Sequence, residues 1–226
     1  MQLISNAWTR FSRSGLISMG LMILAVFSFR SAIADWNDVP TGSMRPTIMI
    51  GDRIVVNKLA YDLRIPFTDL ILASWSAPER GDIVTCWSPE SGDRLVKRVV
   101  AIPGDTIAMQ GGKVLINGQS LAYEATTAEL SESLPDRVFF TEDLSGVKHT
   151  VAFDPQKRAL RDFKPVRLEE GKYFLMGDNR DNSADSRYFG FVDRSAICGR
   201  VIGLAFSLDH DNHYLPRGDR FLTALN

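Results

Sequence analysis

The chain opens with its most apolar run. Residues 15–29, GLISMGLMILAVFSF, contain no charged side chain, and Arg10 and Arg13 precede them without an acid. At about 1.5 Å per residue this run makes roughly 22 Å of helix. Continued to Ala34 it reaches about 30 Å, the hydrocarbon thickness of a bilayer, with Arg30 able to snorkel to the far interface. The basic residues ahead of the run predict a cytoplasmic N-terminus, residues 1–14, and place everything after the span outside the cytoplasm. Ala32-Ile33-Ala34 also fits the A-x-A cleavage site of a secretory leader. Two readings therefore stand here, a transmembrane anchor over 15–34 or a cleaved signal peptide, and both export the remainder.

Beyond residue 34 the apolar runs become short and often alternate. DRIVVNKLAY, GDIVTCW, RLVKRVVAI, DTIAMQ, KVLINGQSL, KYFLMGD and GRVIGLAFSL are separated by Gly, Pro, Asn and Asp at IPGD, QGGK, INGQ and GDNRDN. Such punctuation predicts strands and tight turns. The fold expected is mostly β, built from coiled antiparallel sheets. Residues 111–170 are more polar and carry ATTAELSESLPD; they predict a smaller β-rich lobe inserted into a main β-domain formed by 35–110 and 171–226. The run LRIPFTDLILASW at 63–75 has two readings, a buried β-hairpin or a surface that dips into lipid through Phe67 and Leu70.

Composition narrows the picture only slightly. The 226 residues are 45% hydrophobic and 23% charged, enough for a buried core and ordinary for a folded domain. The formal net charge of -1 lacks the basic excess of a nucleic-acid binder. Cys86 and Cys198 have no CxxC spacing and read as separate buried thiols in apolar strands. GDNRDNSADSRYFGFVD resembles a calcium loop in composition but fails its pattern. Counted from Asp181, Ser186 stands where glycine is required and Val192 where glutamate is required. His210 and His213 lie in a polar tail, so neither a metal nor a cofactor is expected.

The candidate chemistry starts at TGSMRPTIMIGD, residues 41–52. Ser43 lies between a glycine and a methionine, in a setting that suits either a turn into a strand or a presented nucleophile. A serine hydroxyl needs a positioned base. The three histidines offer little, since His149 lies in the polar insert and the others in the tail. Lys97 is different, because DRLVKRVVAIPGD places it inside an apolar strand. Alternation puts Leu95, Lys97, Val99 and Ala101 on one face and Val96, Arg98, Val100 and Ile102 on the other. One reading is an edge strand with two solvated basic heads. The other is a desolvated lysine able to accept a proton, which at roughly 2 units of depression costs about 2.7 kcal/mol of charge stabilisation.

TGSMRPT, RGDIV, KRVVAIPGD and GDNRDNSADSRYFGFV, in this order behind an apolar run, closely resemble bacterial type I signal peptidase. That family consists of membrane-bound serine endopeptidases that remove signal peptides from exported preproteins. The resemblance implies a Ser/Lys dyad, with Ser43 as nucleophile and Lys97 as general base. It implies that Ser183 orients the lysine amine, and that Thr41 completes an oxyanion hole with the Ser43 backbone N–H. Thr41 replaces the serine usual in Gram-negative members. Asp178, Asp185, Arg98 and Arg187 match salt-bridging supports of the site. The implied partners are preprotein signal peptides and the lipid bilayer, with no nucleic acid, metal or cofactor. Cleavage after Ala-x-Ala, a retained 15–34 anchor in the inner membrane and a catalytic domain facing the periplasm complete the expectation. Two rivals are a self-cleaving Ser/Lys regulator on a related fold and a non-enzymatic secreted β-domain.

Overall fold

The structure, a computed structural model, describes residues 15–24, 26–28, 31, 33–68, 70–126, 134, 136–210 and 212–225. Residues 15–24 and 26–28 are helical. Among the described residues no helix is long and apolar enough to cross a membrane. The expected 15–34 anchor includes residues 25, 29, 30 and 32, and the cytoplasmic segment is residues 1–14; all of these lie outside the described set.

The rest is β. The main sheet runs in the order β1 (Ala34–Asp38), β2 (Asp52–Asn57), β16 (Ile197–Asp209), β5 (Ile83–Trp87), β6 (Arg94–Ala101), β14 (Lys172–Met176) and β15 (Val192–Asp193). Every pairing in it is antiparallel. Alternation explains β2, where Asp52, Ile54 and Val56 are buried while Arg53, Val55 and Asn57 are partly exposed. The long strand β16 bends through register shifts between Val201 and Gly203 and between Leu204 and Phe206. Such bulges increase local twist and curl a sheet.

Three smaller sheets complete the molecule. One has the order β13 (Phe163–Arg167), β7 (Thr106–Gln110), β8 (Lys113–Ile116) and β9 (Gln119–Ser120), and another β10 (Ala122–Ala125), β11 (Val138–Leu144) and β12 (Val147–Phe153). Val114, Ile116 and Leu144 share a buried cluster with Val100, Phe174 and Met176 of the main sheet, so these layers are packed face to face. The third is the hairpin β3 (Asp62–Arg64) and β4 (Ile71–Ser74).

Two of the alternatives left open by the sequence are excluded. The 63–75 run does form a hairpin, but it is not buried: Phe67, Leu70 and Leu72 are 64%, 65% and 66% exposed. Nothing among the described residues packs over that face. The edge-strand reading of Lys97 and Arg98 also fails. β6 lies between β5 and β14, with Val84 opposite Lys97, and the two basic side chains are 2% and 0% exposed. An interior strand between two covered faces leaves no route for solvated heads.

Candidate active site

Ser43 sits in the loop between β1 and β2, whose shape follows from its apolar anchors. Met44 and Ile48 are buried in a cluster with Val39, Ile54 and Val201. Ser43, one place before Met44, stays half-buried. Arg45 N donates to Gly42 O at 3.2 Å and Ile48 N to Met44 O at 3.0 Å, closing successive turns. The far end is tied by Asp52, which accepts from Met49 N at 2.7 Å and from Arg220 at 2.6 and 3.1 Å.

Strand β6 brings Lys97 to this loop. Lys97 Nζ lies 2.8 Å from Ser43 Oγ and donates to Val96 O at 3.1 Å. Burial pushes the lysine below its ordinary 10.5, while Asp185, Cys86 and Asp178 favour the charged form. Burial also pushes the Cys86 thiol up to about 12, so it stays neutral at pH 7 and the two carboxylates supply the opposing field. Desolvation prevails because the amine has exchanged water for neutral oxygens. Cys86 and Cys198 are both thiols buried in the main sheet.

The segment after β14 holds the other wall. Asn179 N donates to Ser43 O at 3.0 Å and Asn179 Nδ2 to Gly42 O at 2.9 Å, so both carbonyls flanking the nucleophile's peptide are fixed. Thr47 Oγ1 donates to Asp178 at 2.6 Å, and Arg98 grips the same carboxylate through two bonds of 2.9 and 2.8 Å. Burial raises Asp178, but the Arg98 charge and its hydrogen bonds outweigh this and hold the carboxyl below its ordinary value. Asp185 accepts two bonds of 2.8 Å from Arg187 and one of 3.0 Å from Gly177 N. Ser183 is buried, but its Oγ has no hydrogen-bond partner among the described residues. The expected bond to Lys97 is not made among the described residues.

Three contributors escaped the sequence. Gly177 has no room for a side chain, because a Cβ there would overlap Ser183 Oγ and Ser43 O. Asn179 lies in the same polar block, with only its place beside Asp178 as a signal. The third comes from the polar insert. Glu142 on β11, fully buried, accepts bonds of 2.8 and 2.6 Å from Arg180, and His149 Nε2 stands 3.2 Å from it. Burial raises Glu142, yet the Arg180 charge dominates and leaves its carboxyl well below the usual range. His210 and His213 are exposed in the tail, and no histidine is hydrogen-bonded to Ser43 among the described residues.

Ser43 and Lys97 open onto a cleft of 420 Å³ whose lining includes Val39, Pro40, Thr41, Met44, Leu95 and Val96. Thr41 is exposed there. A hydroxyl beside a buried amine, at the floor of a largely apolar cleft, suits nucleophilic attack on an extended peptide. Among the described residues no group of three or more His, Cys, Asp or Glu side chains is placed to hold a metal ion.

Comparison with known proteins gives the chain a family. A protein named Signal peptidase I from Pseudomonas fluorescens is 37% identical over 171 residues, covering 74% of this chain and 60% of its own length. The chain thus spans about 60% of that relative. A Signal peptidase I from Aquifex aeolicus (strain VF5) is 32% identical over 228 residues, covering 86% of this chain and 84% of its own length. A crystal structure of a signal peptidase I from Enterococcus faecalis V583 covers 57% of this chain and 99% of its own, with 30% identity and a TM-score of 0.36. The family model described as signal peptidase, peptidase S26, matches residues 12–205, and the chain belongs to that family.

Proposed function

We propose that this chain is a serine endopeptidase of the bacterial inner membrane that removes N-terminal signal peptides from exported preproteins. The observation that carries the reading is the 2.8 Å approach of Lys97 Nζ to Ser43 Oγ in a family of signal peptidases.

Lys97, whose hold on its proton burial weakens, takes in its neutral form the proton of Ser43 Oγ as the oxygen attacks the scissile carbonyl. The carbonyl becomes a tetrahedral oxyanion, held by the Ser43 backbone N–H and the Thr41 hydroxyl. The lysine then protonates the leaving amine, giving an acyl-Ser43 ester and the mature N-terminus. Water, deprotonated by the same amine, hydrolyses the ester and restores the hydroxyl. Ser183, whose buried hydroxyl has no hydrogen-bond partner among the described residues, orients the amine when Ser43 is acylated. The Asp178–Arg98 and Asp185–Arg187 pairs hold the wall and stay out of the chemistry.

In this reading residues 35–110 and 171–226 form the catalytic domain, and the 111–170 lobe rests on it through Val114, Ile116 and Leu144. Residues 15–34 anchor it, with the catalytic domain on the periplasmic side. Support for the membrane comes from the helical backbone at 15–24 and 26–28 with Leu16, Ile17 and Phe27 exposed, and from the exposed apolar hairpin. Small residues, as in Ala-x-Ala, stand before the cut in this reading. The test is mass mapping of products from a detergent-purified full chain and an Ala-x-Ala preprotein. A single cut after the second alanine, absent in Ser43→Ala, is expected. No cut by folded wild-type protein across several preproteins removes the reading.

A further inference from the structure

The inserted lobe reaches the nucleophile loop through a chain of three residues, Glu142, Arg180 and Asn179. Asn179 holds Ser43 O through its N–H and Gly42 O through Nδ2, at 3.0 and 2.9 Å. Its own Oδ1 is buried without a hydrogen-bond partner among the described residues, so the backbone on either side aims the amide. On one side Asp178 is held by Arg98 of β6 and Thr47 of the nucleophile loop. On the other side Arg180 is held by the lobe. Glu142 on β11 accepts from both of its terminal nitrogens, at 2.8 and 2.6 Å.

Glu142 is itself fixed in place. It stands opposite His149 in the β11–β12 register, with His149 Nε2 at 3.2 Å, and Tyr123 on β10 donates its hydroxyl to Oε2. Backbone contacts run alongside. Ala152 N on β12 donates to Asp178 O at 2.8 Å, and Asp154 N to the Asp181 carboxylate at 2.8 Å. Glu142 and Arg180 are 0% and 1% exposed. A buried ion pair adds little net stability over an apolar pair of similar volume, because desolvation offsets the attraction. What a bidentate guanidinium–carboxylate contact does supply is a fixed position and direction.

We propose that Glu142 is a positioning residue for Ser43, acting through Arg180 and Asn179, so that the inserted lobe sets where the nucleophile loop stands. In the peptidase reading, on which this rests, residues 111–170 thereby take part in catalysis without touching substrate. Neither Glu142 nor Arg180 lines the 420 Å³ cleft. Loss of the tie should therefore act on the rate of attack by Ser43 and leave peptide binding in place.

The experiment compares full-chain variants in detergent by thermal melt and by steady-state cleavage of an Ala-x-Ala peptide. Glu142→Gln strands the buried Arg180 charge, so it loses stability and position together. Glu142→Gln/Arg180→Met removes that charge and keeps an acceptor for Tyr123, so its melt should return towards the wild-type value. If the pair only stabilised the fold, activity would return with the melt. Positioning predicts instead a folded double variant with kcat down about tenfold and KM within twofold of wild type, the scale of a sub-ångström misplacement. A double variant with kcat within twofold of wild type, or one whose loss lies in KM, overturns the proposal. Should the double variant not fold, Tyr123→Phe carries the test, since it removes one hold on Glu142 and no charge. Its kcat should then fall about threefold at unchanged KM, the low end of what one hydrogen bond is worth, and an unchanged kcat overturns the proposal. Wild-type protein that cuts no preprotein removes the peptidase reading instead, so the two failures are told apart.

Discussion

Gly177→Ala places one methyl group against the nucleophile's own backbone. The added Cβ would fall 2.4 Å from Ser43 O, and ordinary contact begins at 3.4 Å. The backbone on one side must therefore retreat by about 1 Å, the scale at which misplacement of a reacting group costs on the order of 10²-fold in rate. The Ser183 side chain meets the same methyl, so no rotamer change relieves both overlaps. Overpacking of this kind typically costs about 1–3 kcal/mol of stability, which a cored domain of this size survives. The assay pairs a thermal melt with steady-state cleavage of an Ala-x-Ala peptide in detergent. The variant should melt cooperatively at a lower temperature and lose about 10² in kcat/KM, mainly through kcat. A folded Gly177→Ala protein within twofold of wild type would refute the claim that the Gly177 backbone positions Ser43.

Two further outcomes test the walls of the site. Thr41→Ala should keep the fold and lose about 10²–10³ in kcat, as for removal of one oxyanion donor, while Thr41→Ser stays active; near-normal turnover of Thr41→Ala removes Thr41 from the hole. Asp178→Asn leaves Arg98, 0% exposed, without its countercharge, so a loss of about 3–5 kcal/mol in chemical denaturation is expected. Because the folded Asp178 carboxyl lies below its ordinary value, its contribution is present above the unfolded value and is lost as pH falls through the folded one. The gap between wild type and Asp178→Asn should therefore shrink in acid, and a constant gap contradicts the pair.

Much of this was legible in the chain. The predicted strands all form, since short apolar runs between Gly, Asn and Asp turns leave little choice of element. The local settings of Ser43 and Lys97 each left two readings open and only the family resemblance joined them; the structure places them 2.8 Å apart. Whether Lys97 was solvated was not readable, because burial of β6 depends on β14, more than 70 residues later in the chain. The same holds for Arg180, whose partner Glu142 lies 38 positions away in a hairpin whose consecutive polar residues, Thr141-Glu142-Asp143 and Lys148-His149-Thr150, obscure its strands. Gly177 acts through its lack of a side chain and Asn179 through one backbone and one side-chain bond to backbone carbonyls, contacts that carry no compositional mark. The hairpin at 63–75 stayed open between a buried and an exposed reading, since an apolar run does not record which face is covered.

The central claim is that an unprotonated, buried Lys97 activates Ser43, and the pH profile of kcat/KM tests it most directly. Depression of the lysine means that the neutral amine gains population as pH rises through the lowered value. Activity should therefore climb with pH along a limb whose midpoint lies below the ordinary 10.5. Lys97→Arg should be inactive at every pH where it is folded, because a guanidinium keeps its proton. Activity in Lys97→Arg, or a wild-type limb at or above 10.5, would contradict the account.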